Sequence, residues 1–293
     1  IWVTWVINHY LPVGESYHAI KVIYSFIGLL GIYFFYRGWV SYFGDQAPKL
    51  LLFLGLFPSI LFWSSILGKD PVNLLGIGIY SYGVLSVLRS PKIRYVVCIA
   101  VGVLLATWIR MWAGLIFVTP LVIVFGLTKT KNFSKRILLF GVFLVGFSYM
   151  FDLFLERFQI ESAENLVSQS QSLSRSWDHG GSGQKAPEFK SFSDLVSFAP
   201  VGMFTALFRP LPGEIGSIFG IFSGLENLFV LILFGVAFFH MRKVRIRDPI
   251  VTWGVSLILV WGFTYGFVSY QNLGTAVRFK LQILPMMLTL FTY

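Results

Sequence analysis

The sequence predicts an all-α, polytopic helical membrane protein of about nine spans, with a long extracytoplasmic loop carrying amphipathic or re-entrant helices. Three observations lead there. Hydrophobic residues make up 56% of the 293 and charged residues only 12%, whereas about a quarter of the residues of a soluble domain are charged. Apolar runs near the roughly 20 residues that a helix needs to cross a bilayer recur along the chain, and a helix satisfies its own backbone groups where no water can reach them. Runs such as residues 50–57 do not alternate, which excludes the period-two pattern of a membrane barrel.

In order, residues 1–18 mix Trp2, Trp5, Tyr10 and Tyr17 with Pro12, Gly14 and Glu15, the composition of an interfacial segment. The first span is expected over 19–36 and the second over 50–67, with a kink at Pro58. A third covers 72–88, with Asp70 as its N-cap and Pro71 as its first residue. The run 95–127 is too long for one crossing and is broken only by Arg110, so two spans with a tight turn near Arg110 are expected. A sixth span follows over 137–155. A long non-spanning region over 156–222 follows; its first part, with Leu155, Phe158, Leu166 and Val167 among Arg157, Glu161 and Glu164, suits an amphipathic surface helix, and Gly180 to Gly183 a mobile link. The stretch 192–208 is apolar but holds Asp194 and Pro200, which suits a re-entrant helix. Spans over 225–239 and 250–268 and a ninth from Arg278, bent at Pro285, complete the chain. It groups as an N-terminal bundle (1–155), a loop region (156–222) and C-terminal helices (223–293). Beginning at Ile1, showing no signal-peptide pattern and stopping at Tyr293 without a polar flank, it reads as an internal piece of a longer polytopic protein.

Charge assigns the sides. The connections 37–49, 89–94, 129–136 and 242–248 hold 13 of the 23 Lys and Arg residues but only Asp45 and Asp248 of the 13 acids. With these inside, by the positive-inside rule, the long loop faces out. The net charge of +10 is therefore an orientation signal, and nucleic acid is not implied.

Outer charges have no such explanation. Lys69, Asp70, Arg110, Asp152, Arg209, Glu214, Glu226, Asn272 and Arg278 all fall at or just inside the outer ends of spans, where a charge is costly unless paired or hydrated. Together they predict one outward-opening polar pocket. At its centre is Arg-Pro-Leu-Pro-Gly-Glu over residues 209–214. An Arg there can fork onto phosphate oxygens and a Glu can take a proton; alternatively the pair is the internal tie of a structural turn. Glu214 and Asp70 are the catalytic candidates. Arg209, Arg110, Arg278 and Lys69 are the phosphate-binding candidates, with Asp152, Glu226 and Asn272 in support. The four histidines are scattered and Cys98 is alone, so no zinc-ligand spacing is present. Phosphate-loop and nucleophile-elbow patterns are absent too, and Gly76 and Gly78 read as close helix contacts.

Four patches carry a resemblance: Phe-Pro-Ser-Ile-Leu-Phe-Trp-Ser-Ser-Ile-Leu-Gly-Lys-Asp (57–70), Leu-Phe-Arg-Pro-Leu-Pro-Gly-Glu (207–214), Leu-Glu-Asn (225–227) and Gly-Thr-Ala-Val-Arg (274–278). They resemble multispan proteins of bacterial exopolysaccharide and O-antigen synthesis, similar to membrane glycosyltransferases of the GT-C type and, less closely, to polysaccharide polymerases. The resemblance implies the bacterial cytoplasmic membrane, a polyprenyl-phosphate-linked sugar donor, a place in a polysaccharide-synthesis complex and chemistry on the outer face; a divalent cation is an open possibility. The GT-C pattern also has an acidic residue in its first outer loop, where only Glu15 is available here. Two other classes stay open beside the enzyme: a flippase or exporter of a lipid-linked sugar, for which broken helices near the midplane are the expected mark, and a non-catalytic partner subunit.

Overall fold

The computed structural model describes Trp5, His9 and residues 16–129, 132–157, 182–184, 189, 191–240 and 248–293. Every regular element among them is a helix, as the apolar composition requires. The predicted surface helix in the first part of 156–222 lies almost wholly outside the described residues. Among the described residues four helices are long and apolar enough to cross a membrane: Tyr17–Phe43, Lys69–Arg89, Ile218–His240 and, within a longer helix, Pro249–Gly266. The chain divides into two compact units, Ile1–Gly114 and Leu115–Tyr293.

In the first unit, α1 (Tyr17–Phe43) opens on Ser16, whose Oγ accepts from the Ala19 N–H at 3.4 Å, and closes on Gly44 in the left-handed region. The predicted second span is two helices, α2 (Pro48–Leu56) and α3 (Pro58–Ser64), separated at Phe57. The expected kink is thus a break, because Pro58 supplies no N–H to continue the ladder. Together α2 and α3 return the chain along α1, so that α4 (Lys69–Arg89) packs parallel to α1. α5 (Ile93–Ile109) runs antiparallel to α4, and after a three-residue turn at Arg110, α6 (Ala113–Val124) carries the chain into the second unit, which begins at Leu115. The break predicted at Arg110 is present. At 17 and 12 residues, however, the two helices rise only about 26 and 18 Å, short of the roughly 30 Å hydrocarbon thickness; a π-helical turn, Phe125–Lys129, lengthens α6.

Glycine sets the spacing in this unit. A Cβ on Gly78 would collide with the Gly31 carbonyl oxygen, and one on Gly31 would lie 2.7 Å from the Leu74 backbone. On the other flank of α4, a Cβ on Gly102 would come within 2.6 Å of the Gly76 oxygen. Backbone-to-backbone approach of this kind is how helices associate in lipid, where no hydrophobic effect drives them together. Residues Ile20, Tyr24 and Val72 close the α1–α4 seam at one end, and Ser86 Oγ donates to Ser41 Oγ at 2.9 Å at the other.

The second unit contains α7 (Phe133–Arg157), α8 (Phe192–Phe208), α9 (Ile218–His240), α10 (Pro249–Gln271), α11 (Leu273–Lys280) and α12 (Leu284–Phe291). The predicted sixth span lies within α7, which is not among the four long apolar helices. α8 starts on a capping box in which Ser191 and Asp194 exchange bonds, so the Asp in this apolar stretch is a cap. It runs antiparallel to α10: the Phe198 and Tyr270 rings are 4.8 Å apart, Gly202 faces Gly266, and Leu207 reaches Gly262. α8 therefore stops near the middle of the 23-residue α10. α11 and α12 descend along the same helix. Trp261 Nε1 donates to Gln282 Oε1 at 3.2 Å, while Gly254 packs under Met286 and Leu290. The predicted ninth span is thus two short helices broken at residues 281–283.

Gly78→Val is expected to destabilise the first unit by about 2–3 kcal/mol through overpacking, measured as a loss of thermal stability in detergent. Gly55→Val, where a Cβ meets open space, serves as the control and is expected to cost well under half of that.

Candidate functional site

The 209–214 stretch is a chain reversal clamped against α9. α8 ends at Phe208, with the Arg209 N–H bonded to Thr205 O at 3.1 Å. Pro210 and Pro212 cannot continue a helix, the Arg209–Pro210 peptide is cis, and Gly213 sits at φ +92°, where a Cβ would be strained. The chain then climbs beside one face of α9. Asn227 Nδ2 donates to Pro210 O at 2.9 Å. A Cβ on Gly224 would lie 2.7 Å from Pro212 N, and Gly220 packs against Ile215. Positions 220, 224 and 227 are one helical face, so the reversal is registered residue by residue. Its deepest point, Pro210, meets the tenth residue of the 23-residue α9.

The side chains close the turn on itself. Arg209 Nε and Nη2 reach Glu214 Oε1 at 2.7 and 2.6 Å, and Glu214 Oε2 accepts from the Leu211 N–H at 2.6 Å. Both carboxylate oxygens are therefore occupied. Burial pushes the Glu214 carboxyl up, but the Arg209 hydrogen bond, the Leu211 N–H and the Arg209 charge outweigh it and hold the group below its ordinary value. A carboxylate so engaged is suited to anchoring an arginine, and poorly suited to accepting a proton. The other end of the guanidinium meets neutral oxygens only, at longer range: Nη1 to Gln184 Oε1 at 3.2 Å and to Thr205 Oγ1 at 3.4 Å.

Beneath the turn lies Lys280, 1% exposed. Its Nζ donates to Asn227 Oδ1 and, at 3.4 Å, to Arg209 O, a carbonyl at the C-terminal end of α8 where helix-dipole charge is negative. The half-buried Glu226 carboxylate acts on it electrostatically. Arg209, Lys280, Glu214 and Glu226 thus form a group whose formal charges cancel.

Beside the turn, Ser182 to Gln184 pair with the α10–α11 corner. The Gln184 N–H bonds to Gln271 O at 2.8 Å and the Leu273 N–H to Ser182 O at 3.0 Å, bridging Gly183 and Asn272. Asn272 caps α11, its Oδ1 accepting from the Thr275 N–H at 3.1 Å and from Ser182 Oγ at 3.0 Å. The predicted mobile link is therefore held at Ser182 and Gly183; Gly180 and Gly181 lie outside the described residues.

The predicted site residues fall in both units. Arg209, Glu214, Glu226 and Asn272 join the cluster just described. Arg278, on α11, is half-buried, and Asp152 is exposed on α7. In the first unit Lys69 is exposed and Asp70 is 4% exposed. Asp70 lies in the first turn of α4, two residues inside the cap position, which Gly68 takes. Arg110 caps the C-terminus of α5, its N–H bonded to Ala106 O. Sequence reasoning did not single out Gln184, Asn227 or Lys280 as site residues. A Lys inside an apolar run was the available signal, and Asn227 stands inside α9 as the companion signal. Among the described residues no three His, Cys, Asp or Glu side chains are grouped to hold a metal ion. Comparison with protein-family models, curated proteins and solved structures found no match.

The lowered Glu214 pKa gives the turn a pH signature. The folded carboxylate binds its proton less readily than the ordinary group of pKa 4.5, so the pair's stabilisation is complete above that value and is lost as pH falls through the lowered folded one. Thermal unfolding of the wild type in detergent is expected to lose stability between about pH 5 and 3 more steeply than Glu214→Gln; equal slopes would contradict the assignment.

Proposed function

We propose that this chain is the membrane-embedded part of a glycosyltransferase that uses a polyprenyl-phosphate-linked sugar on the outer face of a bacterial cytoplasmic membrane, in cell-surface polysaccharide synthesis. One observation carries the reading: an arginine held by its own carboxylate, with its remaining donors on neutral oxygens, where a helix stops midway along an apolar bundle. Non-helical backbone at such a level is tolerated only when buried in protein or lining a hydrated cavity, and an arginine there is a functional signal. An apolar cleft of about 520 Å³ begins at Leu207 and Phe208, beside Arg209, and continues past Phe234, Ile258 and Phe291; its composition suits a lipid chain.

In this reading the sugar's anomeric carbon–oxygen bond to the lipid phosphate breaks as the acceptor oxygen bonds to that carbon. The acceptor's proton passes to a base, and negative charge grows on the leaving phosphate. Arg209 stabilises that charge, and Glu214 fixes its orientation. Lys69, Asp70 and Arg110 form a separate candidate group in the first unit, to be tested independently.

A second reading, a transporter of the same lipid, is favoured by a specific feature: the chain is broken after α8 and between α11 and α12, near the middle of α9 and α10. Discontinuous helices around a central site are characteristic of secondary transporters. Purified protein in liposomes separates the two, since the enzyme moves label from lipid to acceptor and the transporter moves labelled lipid between leaflets.

In cells with normal levels of the variant protein, Arg209→Ala is expected to lower polymer synthesis by about 100-fold or more, with accumulation of the lipid-linked sugar. Unchanged polymer would count decisively against this site.

A further inference from the structure

We infer that Ser182 to Gln184 form an autoinhibitory strap, in which the Gln184 carboxamide oxygen occupies the place on Arg209 that a phosphate monoester oxygen takes in the ligand-bound state. The inference rests on the proposed role of Arg209 as a phosphate contact, and it adds how that contact is regulated.

The argument begins with the two ends of the guanidinium. The Nε–Nη2 edge is committed to Glu214 at 2.7 and 2.6 Å, a charge-assisted pair that a ligand has little to gain by breaking. Nη1 is held at 3.2 and 3.4 Å by two neutral oxygens. A dianionic phosphate oxygen is the stronger acceptor, so exchange at Nη1 is downhill while Glu214 stays in place. Of the two neutral oxygens, Thr205 Oγ1 belongs to the last turn of α8 and already donates to Val201 O at 2.9 Å, so it cannot leave without disturbing that helix. Gln184 can.

Among the described residues of the strap, the attachment is small. Two backbone hydrogen bonds, Gln184 N to Gln271 O and Leu273 N to Ser182 O, and one side-chain bond from Ser182 Oγ to Asn272 Oδ1 connect the strap to the α10–α11 corner. An isolated bridge of this size contributes little against chain entropy. The corner also keeps an unused donor: Gln271 is 2% exposed, and its Nε2 has no hydrogen-bond partner among the described residues. A buried donor left so is costly.

The test measures binding of dodecyl phosphate, with inorganic phosphate as a second probe, to the full chain in phosphatidylcholine nanodiscs. Gln184→Ala is expected to bind dodecyl phosphate about tenfold more tightly than wild type, the equivalent of one lost competing hydrogen bond to a charged donor. Gln184→Glu, which places a second carboxylate on Nη1, is expected to bind at least about tenfold more weakly. A reversible lock guards against misfolding: in Ser182→Cys/Asn272→Cys on a Cys98→Ser background, oxidation is expected to weaken binding and reduction to restore it in the same sample. If wild type binds and Arg209→Ala does not, yet Gln184 variants and the lock leave affinity unchanged, the strap is overturned and the Arg209 site survives. If no variant binds either probe, both fall. Equal Gln184 dependence for inorganic phosphate supports the strap and identifies a free anion as ligand; dependence seen only with dodecyl phosphate supports it and identifies a lipid headgroup.

Discussion

The second unit depends on one buried lysine. Lys280 is withdrawn from solvent and meets the Asn227 amide oxygen on α9 and the carbonyl of Arg209 at the end of α8. Burying an ammonium costs several kcal/mol even after relaxation, so the arrangement persists only if those acceptors stay where they are. That requirement fixes the end of α8, the register of the reversal on α9 and the end of α11 together. Asn227 is the hinge of the set, because its amide nitrogen holds Pro210 O while its oxygen receives Lys280. The Arg209–Glu214 side-chain pair is then positioned by a scaffold that uses only the backbone of Arg209.

Glycine and proline act in both units, in opposite senses. Gly31, Gly78 and Gly102 bring helices to backbone contact, and in the second unit Gly202, Gly266 and Gly224 do the same. Proline interrupts: Pro58 splits one predicted span, and Pro210 with Pro212 turns the chain back after α8. Tight packing supplies the rigid frame, and the interruptions leave backbone carbonyls such as those of Arg209 and Pro210 available to Lys280 and Asn227. A polar cluster inside an apolar bundle needs both.

Much of the helical pattern was legible because hydrophobicity and proline act locally. The break at Arg110, the helical state of residues 192–208, and the close contacts at Gly76 and Gly78 all follow from neighbouring residues. What escaped was long-range. Asp194 looked like a misplaced charge in an apolar stretch, and it is a capping residue paired with Ser191 three positions away. Lys280 gave no signal of its place in the site because nothing near it in sequence shows that Asn227, 53 residues earlier, is its partner. Gln184 lies in a Gly-Ser-rich stretch whose composition signals mobility, and only the fold reveals that its neighbours pair with Gln271 and Leu273. Among the described residues four helices are long and apolar enough to cross a membrane; hydropathy does not register where proline or a buried polar contact stops a helix short of the roughly 20 residues that a crossing needs.

The central claim is that Asn227 and Lys280 act as one unit in fixing the reversal, and a double-mutant cycle tests it most directly. Stability in detergent is measured for Asn227→Leu, Lys280→Met and the pair. Because each single change strands a buried partner, the double variant is expected to be more stable than the sum of the two losses, with a coupling of at least about 1 kcal/mol. Additivity within about 0.5 kcal/mol would contradict the account, since it would mean that the two side chains do not depend on one another.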